Sequence, residues 1–181
     1  MVDTLERART TKKTAVLRTP TKDDGSAVWE LVAECKPLDE NSMYMNLVQC
    51  DHFSETCVIA EMDGDVVGWI SGHIPPSEPE TLFVWQVAVS EKARGQGLGT
   101  KMLRAIVERD VSKDVKQVKT TITRDNDPSW SLFRRFARRF GTELVDEPHF
   151  IKSEHFNGQH DTEHMVTIDL GRGAGQGQAA A

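Results

Sequence analysis

Cysteine is scarce in this chain. There are three, Cys35, Cys50 and Cys57, and no C-x-x-C spacing. An odd count without paired spacing excludes a disulfide framework and a zinc ribbon. Reduced thiols in a cytoplasmic protein are the expectation that remains. Tyrosine is scarcer still, with Tyr44 alone. No apolar run reaches the roughly 18 residues that a spanning helix needs. Met1 to Ala15 carries charges and no apolar stretch, so no secretory signal is expected. Positive charge is in deficit: 22 Lys and Arg stand against 28 Asp and Glu, a net charge of −6. That balance works against general nucleic-acid binding, which needs a broad basic face. It suits a protein that handles small cationic molecules.

What is present is an ordinary globular composition, 38% apolar and 28% charged over 181 residues, enough for one core without staples. The ends are low in apolar residues. Residues 1–14 are expected to be a flexible tail, 15–170 the folded domain, and the Gly-, Gln- and Ala-rich 171–181 a second tail.

Val16-Leu17-Arg18 predicts a short strand, ended by Thr19-Pro20-Thr21 because proline disfavours helix in the residue before it. Thr21 is placed to cap a helix with Asp23 and Asp24 in its first turn. Val28, Leu31, Val32 and Cys35 then recur at helical spacing. Two strand-like runs, Cys57 to Met62 and Val66 to Gly72, flank Asp63-Gly64, a strong hairpin signal. Pro75 to Pro79 predicts a loop. Leu82 to Val89 is the most apolar stretch and predicts a central strand buried on both faces. Leu98, Met102, Leu103, Ile106 and Val107 mark one face of a helix, and Val115 to Thr123 a further strand. Pro128 to Phe140 predicts a helix with Leu132, Phe133, Phe136, Ala137 and Phe140 as its stripe. Glu143 to Val145 and Met165 to Leu170 are expected to close the sheet as an antiparallel pair. The order predicts an α/β fold with a mixed sheet.

The chemistry concentrates at the junction Arg94-Gly95-Gln96-Gly97-Leu98-Gly99 between that central strand and its helix. Three glycines let backbone approach a ligand, and the helix start offers unsatisfied N–H groups and a positive dipole end, a phosphate site. Leu98-Gly99-Thr100-Lys101 has the wrong order for a Walker loop, and G-x-G-x-G is not the Rossmann spacing. A glycine-rich turn used only for tight packing stays open on these residues.

Gln86-Val87-Ala88-Val89 followed by that turn resembles motif A of the GNAT family of N-acetyltransferases, Q/R-x-x-G-x-G/A. Thr123-Arg124-Asp125-Asn126, leading into the Pro128 helix, resembles the family's downstream element. The resemblance implies a mixed central sheet flanked by helices, with a splayed central strand pair, and acetyl-CoA as cosubstrate. It places cofactor contacts at Val87, Val89, Arg94, Gly95, Gln96, Gly97, Gly99, Thr100, Asn126 and Phe133. The oxyanion donor would be the Val87 N–H.

Narrower blocks, Pro37 to Tyr44, Cys50 to Phe53, Thr56 to Glu61, Ser71 to Pro76 and Leu82 to Val89, resemble the branch of that family that acetylates L-2,4-diaminobutyrate in ectoine synthesis. This implies transfer to the 4-amino group, a homodimer, and substrate contacts at Asp39, Tyr44, Trp85, His160 and Glu163. Each has a plainer reading: single acids are mostly solvated, and a tryptophan in an apolar strand is more often core. Asp39 and Tyr44 are expected in a loop after the first helix. His160 and His164 make half of a zinc spacing, without a cysteine pair, so no metal is expected.

The resemblance bears on proton transfer too. Many relatives carry a tyrosine general acid where this chain has Phe133. Water, Ser131 or Tyr44 would then protonate the leaving thiolate, or it leaves unprotonated. An acetyltransferase for another small amine and a non-catalytic acyl-CoA-binding module remain open alternatives.

Overall fold

The computed structural model describes residues 14–36 and 38–172. In chain order the elements are β1 (Val16–Arg18), α1 (Gly25–Glu34), α2 (Met43–His52), β2 (Val58–Met62), β3 (Asp65–His73), β4 (Thr81–Val89), α3 (Leu98–Val107), β5 (Gln117–Thr123), α4 (Asp127–Arg139), β6 (Val145–Phe150), α5 (Lys152–His155) and β7 (Glu163–Asp169). The strands form one sheet in the order β1-β2-β3-β4-β5-β7-β6. The β4–β5 pair is parallel and the other neighbours are antiparallel. Among the described residues no helix is long and apolar enough to cross a membrane.

Local chemistry sets several of these boundaries. Asp63 and Gly64 both have positive φ, 56° and 85°, which a two-residue turn between twisted strands requires. Asp24 accepts from the Thr21 N–H at 2.7 Å and closes a short 3-10 turn that feeds α1. Arg18 grips Asp24 through both terminal nitrogens, at 2.8 and 2.7 Å, and Glu61 through Nε at 2.9 Å. β1 is thereby tied to both α1 and β2.

Two apolar layers cover the sheet. One packs α3 and α4 against Leu82, Val84, Ile122 and Ile168; the other packs α1 and Cys50 against Ile59, Trp69 and Ala88.

β4 departs from the two-sided burial expected of it. Trp85 is 50% exposed, and Phe83, Val87 and Val89 are only partly buried. Its ladder to β5 covers only Thr81 to Phe83 against Gln117 to Lys119, and beyond that the strands diverge. The register to β3 also slips between Ser71 and Gly72, so that Trp85 is an extra residue on β4. Before this bulge Leu82 and Val84 face the α3–α4 layer; after it Ala88 faces the α1 layer, while Val87 and Val89 turn to α3 and α4. A side chain at Gly72 would meet Phe83 O at 3.0 Å and Thr56 O at 3.1 Å, so the bulge needs glycine opposite it.

Helix α2 has no counterpart in the periodicity. Its buried residues are Asn46, Gln49 and Cys50, two of the three being polar amides, so no apolar stripe announces it. α5 is one turn long, and β6 runs five residues past the expected Val145 because Pro148 sits tolerably on an edge strand. At the C-terminal end, Arg172 donates to Val107 O at 2.7 Å and Ser112 O at 2.9 Å, so packing continues past residue 170. The rest of both expected tails lies outside the described residues.

Candidate active site

The glycine turn joins β4 to α3. Gly95 and Gly97 have φ of 72° and 68°, and a Cβ at either would meet nothing within 4 Å. Packing therefore does not demand glycine there; the left-handed backbone does. Gly99 is different, because a Cβ there would stand 3.0 Å from Leu132. The turn borders a cavity of about 380 Å³ lined by Val87, Val89, Arg94, Gly95, Gly97, Gly99, Thr100, Asn126 and Arg135 among others. The Thr100 hydroxyl is buried on that wall without a partner. Arg94 donates through Nε to Val89 O at 3.0 Å, which holds its guanidinium at the rim. Open backbone, an orphan hydroxyl and two arginines fit a pyrophosphate.

The divergence of β4 from β5 supplies backbone donors. The Ser90 N–H donates to Val67 O at 2.9 Å. Bonded residues alternate along an antiparallel ladder. Ala88 therefore faces β3, and Val87 and Val89 turn their N–H and C=O groups toward the side that β5 has left. This strand edge lies beside a second cavity of about 520 Å³, which shares Leu38, Val87, Asn126, Pro128 and Ser129 with the first.

The far end of the larger cavity is acidic. His160 Nε2 stands 3.7 Å from Asp39 Oδ2 and 3.8 Å from Glu163 Oε1. His160 Nδ1 lies 2.7 Å from Asp161 O and donates to it, since a carbonyl only accepts. The Phe156 ring packs on His160, centroids 4.6 Å apart. Glu163 Oε2 is buried without a hydrogen-bond partner. Burial pushes the Glu163 carboxyl above the ordinary carboxylate range; His160 and Thr121 pull it down, and the charges of Asp39 and Asp125 push it up.

The structure brings most of the expected site residues together. Asp39, Trp85, His160 and Glu163 line the larger cavity, and Val87 and Asn126 line both. Asn126 Oδ1 caps α4 by accepting from the Ser129 N–H at 3.2 Å; its amide nitrogen is not used by the cap. Phe133 is 2% exposed, a core side chain that lines the larger cavity rather than the one at the glycine turn. Gln96 lies on a separate hollow with Leu17, Met62 and Lys101. Tyr44 is not in a loop: it lies in the first turn of α2, is 75% exposed, and lines neither cavity. Ser131 is exposed on α4 and lines neither; Ser129, where the two cavities meet, is the hydroxyl that does. Arg135, beyond the residues the family resemblance placed at the cofactor, also lines the first cavity. Its spacing of three from Leu132 puts it on the cavity side of α4 and was the available signal. Among the described residues no group of three or more His, Cys, Asp or Glu is placed to hold a metal.

Residues 26–137 match the family model of the acetyltransferase (GNAT) family. The L-2,4-diaminobutyric acid acetyltransferase of Methylotuvimicrobium alcaliphilum is 49% identical over 152 residues, 84% of this chain and 88% of that one. The enzyme of the same name from Vibrio parahaemolyticus is 43% identical over 155 residues, 86% of each. A solved diaminobutyrate acetyltransferase from Paenibacillus lautus, in complex with its substrate L-2,4-diaminobutyric acid and coenzyme A, superposes with a TM-score of 0.83 at 35% identity, covering 87% of this chain and 96% of that one. Shared architecture, a glycine turn beside an acidic cleft, and these identities lead to one assignment: the chain belongs to the GNAT acetyltransferase family and, within it, to the family of the L-2,4-diaminobutyric acid acetyltransferases.

Proposed function

We propose that this protein transfers the acetyl group of acetyl-CoA to the 4-amino group of L-2,4-diaminobutyrate, giving N4-acetyl-L-2,4-diaminobutyrate for ectoine synthesis. The observation that carries this reading is the meeting of Asp39, His160 and Glu163 at one end of a cleft whose other end is the Gly95–Gly97 turn. A substrate with two ammonium groups and one carboxylate suits that end: acids receive the ammonium groups, and Trp85 walls the aliphatic chain.

The reading assigns a residue to each step. An ammonium has no lone pair to attack with, so a base must take its proton first. Glu163 is that base: its Oε2 is buried without a partner and burial raises its proton affinity. Asp39 receives the 2-ammonium and fixes which amine reaches the thioester. The free 4-amine attacks the thioester carbon, and the Val87 N–H, turned away from β3, donates to the developing oxyanion. Collapse breaks the carbon–sulfur bond. The acetylated nitrogen gives up its surplus proton and the thiolate gains one, through water or through the Ser129 hydroxyl, which donates one proton and recovers the other. No covalent enzyme intermediate forms. The glycine turn, with Arg94, Thr100, Asn126 and Arg135, holds the pyrophosphate end, and Val89 the pantetheine arm.

A cytoplasmic location and a homodimer belong to the same reading. Met43, Tyr44 and Leu47 share an exposed apolar face of α2 that a second copy would cover. Sedimentation of the purified protein tests the dimer.

The function is tested by incubating the protein with acetyl-CoA and a panel of amines while following thiol release. Preference for diaminobutyrate over polyamines and monoamines supports the proposal. Preference for a polyamine moves the chain to another substrate, and coenzyme A binding without turnover on any amine makes it a binding module.

A further inference from the structure

Asp39 sits on an irregular segment between α1 and α2, and its side chain is 90% exposed, so nothing in its own packing holds the carboxylate over the cleft. The segment is held from below. The Gln86 amide nitrogen donates to Asp39 O at 2.9 Å, and Gln86 Oε1 accepts from Asn41 Nδ2 at 3.3 Å. Trp29 Nε1 on α1 donates to Asn41 O at 3.1 Å, fixing the same three-residue stretch from the other side.

Gln86 is buried and lies between Trp85, the bulged residue that lines the cleft, and Val87, whose N–H turns away from β3. One side chain thus ties the acid-bearing loop to the strand that carries the oxyanion donor. We propose that Gln86 is a positioning residue that sets the distance between Asp39 and the Val87 backbone, and so sets the affinity and amine selectivity of the site. The proposal rests on the reading of Asp39 as an amine-binding residue.

A purely structural glutamine would only contribute stability. A positioning glutamine acts through Asp39, so its loss raises KM for the diamine, leaves acetyl-CoA affinity alone, and does nothing further once the Asp39 carboxylate is gone. Gln86→Met keeps length and removes both hydrogen bonds. Loss of two neutral hydrogen bonds predicts a rise of about 5- to 30-fold in KM for diaminobutyrate. The kcat should stay within about threefold, and in an Asp39→Asn background the same change should add about twofold or less. Asn41→Ala removes one of the two bonds without touching β4; it should shift KM the same way by a smaller factor, and it stands in if Gln86→Met does not fold.

The inference is overturned if Gln86→Met and Asp39→Asn multiply independently, or if Gln86→Met lowers kcat and coenzyme A affinity together with a raised KM. If Asp39→Asn itself leaves KM unchanged, the underlying substrate reading fails and the inference goes with it. If Asp39→Asn impairs binding while neither Gln86→Met nor Asn41→Ala does, the substrate reading stands and only the positioning role is lost.

Discussion

Asp39 and Glu163 come from opposite ends of the domain and meet across one imidazole. His160 Nε2 lies 3.7 Å from the first carboxylate and 3.8 Å from the second. The two acids differ in environment: the Asp39 side chain is 90% exposed, that of Glu163 18%. Solvent surrounds the first. Burial makes the second reluctant to ionise, which is what a base poised for an ammonium proton needs.

That difference separates activity from stability at Glu163. Glu163→Gln should lower kcat/KM for diaminobutyrate by about 100-fold or more, the range for loss of a general base. The thermal midpoint near neutral pH should hold or rise. A raised folded-state value means the folded chain binds the proton more tightly than the unfolded one, so ionised Glu163 costs stability above that value. The neutral isostere removes this cost. A variant that is both inactive and clearly less stable would contradict the account.

The pH profile follows from the same group. Diaminobutyrate turnover should fall as pH drops through the Glu163 value, and the limb should lie above the range of an exposed glutamate. Steady-state rates across pH, with acetyl-CoA saturating, check it. The acid limb should disappear in Glu163→Gln.

Gly97→Glu should abolish acetyl-CoA binding while leaving the fold largely intact. A Cβ at this position meets no neighbour within 4 Å, so the fold bears chiefly the strain of positive φ, about 1–2 kcal/mol. The carboxylate would stand where the pyrophosphate is expected. Calorimetry with coenzyme A measures this directly, and unchanged affinity would remove the turn from the site.

Phe133→Ala should act on stability before chemistry. The ring is 2% exposed within the α3–α4 layer, and truncation of a core phenylalanine costs about 3–5 kcal/mol. Denaturant unfolding checks the loss. The pH profile of the folded fraction should keep the limbs of the parent, since Phe133 carries no titratable group.

The regular parts of the fold were legible because their chemistry is local. Asp63-Gly64 announces its hairpin, the stripe from Leu98 to Val107 its helix, and the glycines of 95–97 a left-handed turn. The splay of β4 was implied by family resemblance, yet the strand's composition alone argued for burial on both faces. An apolar run reads the same whether its neighbour is a strand or a cosubstrate. Helix α2 was hidden because Asn46 and Gln49 occupy its buried face, and Tyr44 was therefore placed in a loop. The Gln86–Asp39 link could not be read from sequence, since it joins a side chain to a backbone oxygen and carries no compositional trace.

The central claim is regioselective transfer. The two amines of diaminobutyrate differ in distance from the carboxylate, and intrinsic reactivity does not confine acetylation to one of them. In the proposed mechanism, anchoring by Asp39 and access to Glu163 and the Val87 N–H do so. The most direct test is NMR of the product formed by the purified protein from acetyl-CoA and L-2,4-diaminobutyrate. The account predicts the acetyl group on N4 alone in the parent, with Asp39→Asn slowed about 10- to 150-fold in kcat/KM at unchanged coenzyme A affinity. A parent product acetylated on N2, or an Asp39→Asn variant with parental rate and selectivity, would contradict it.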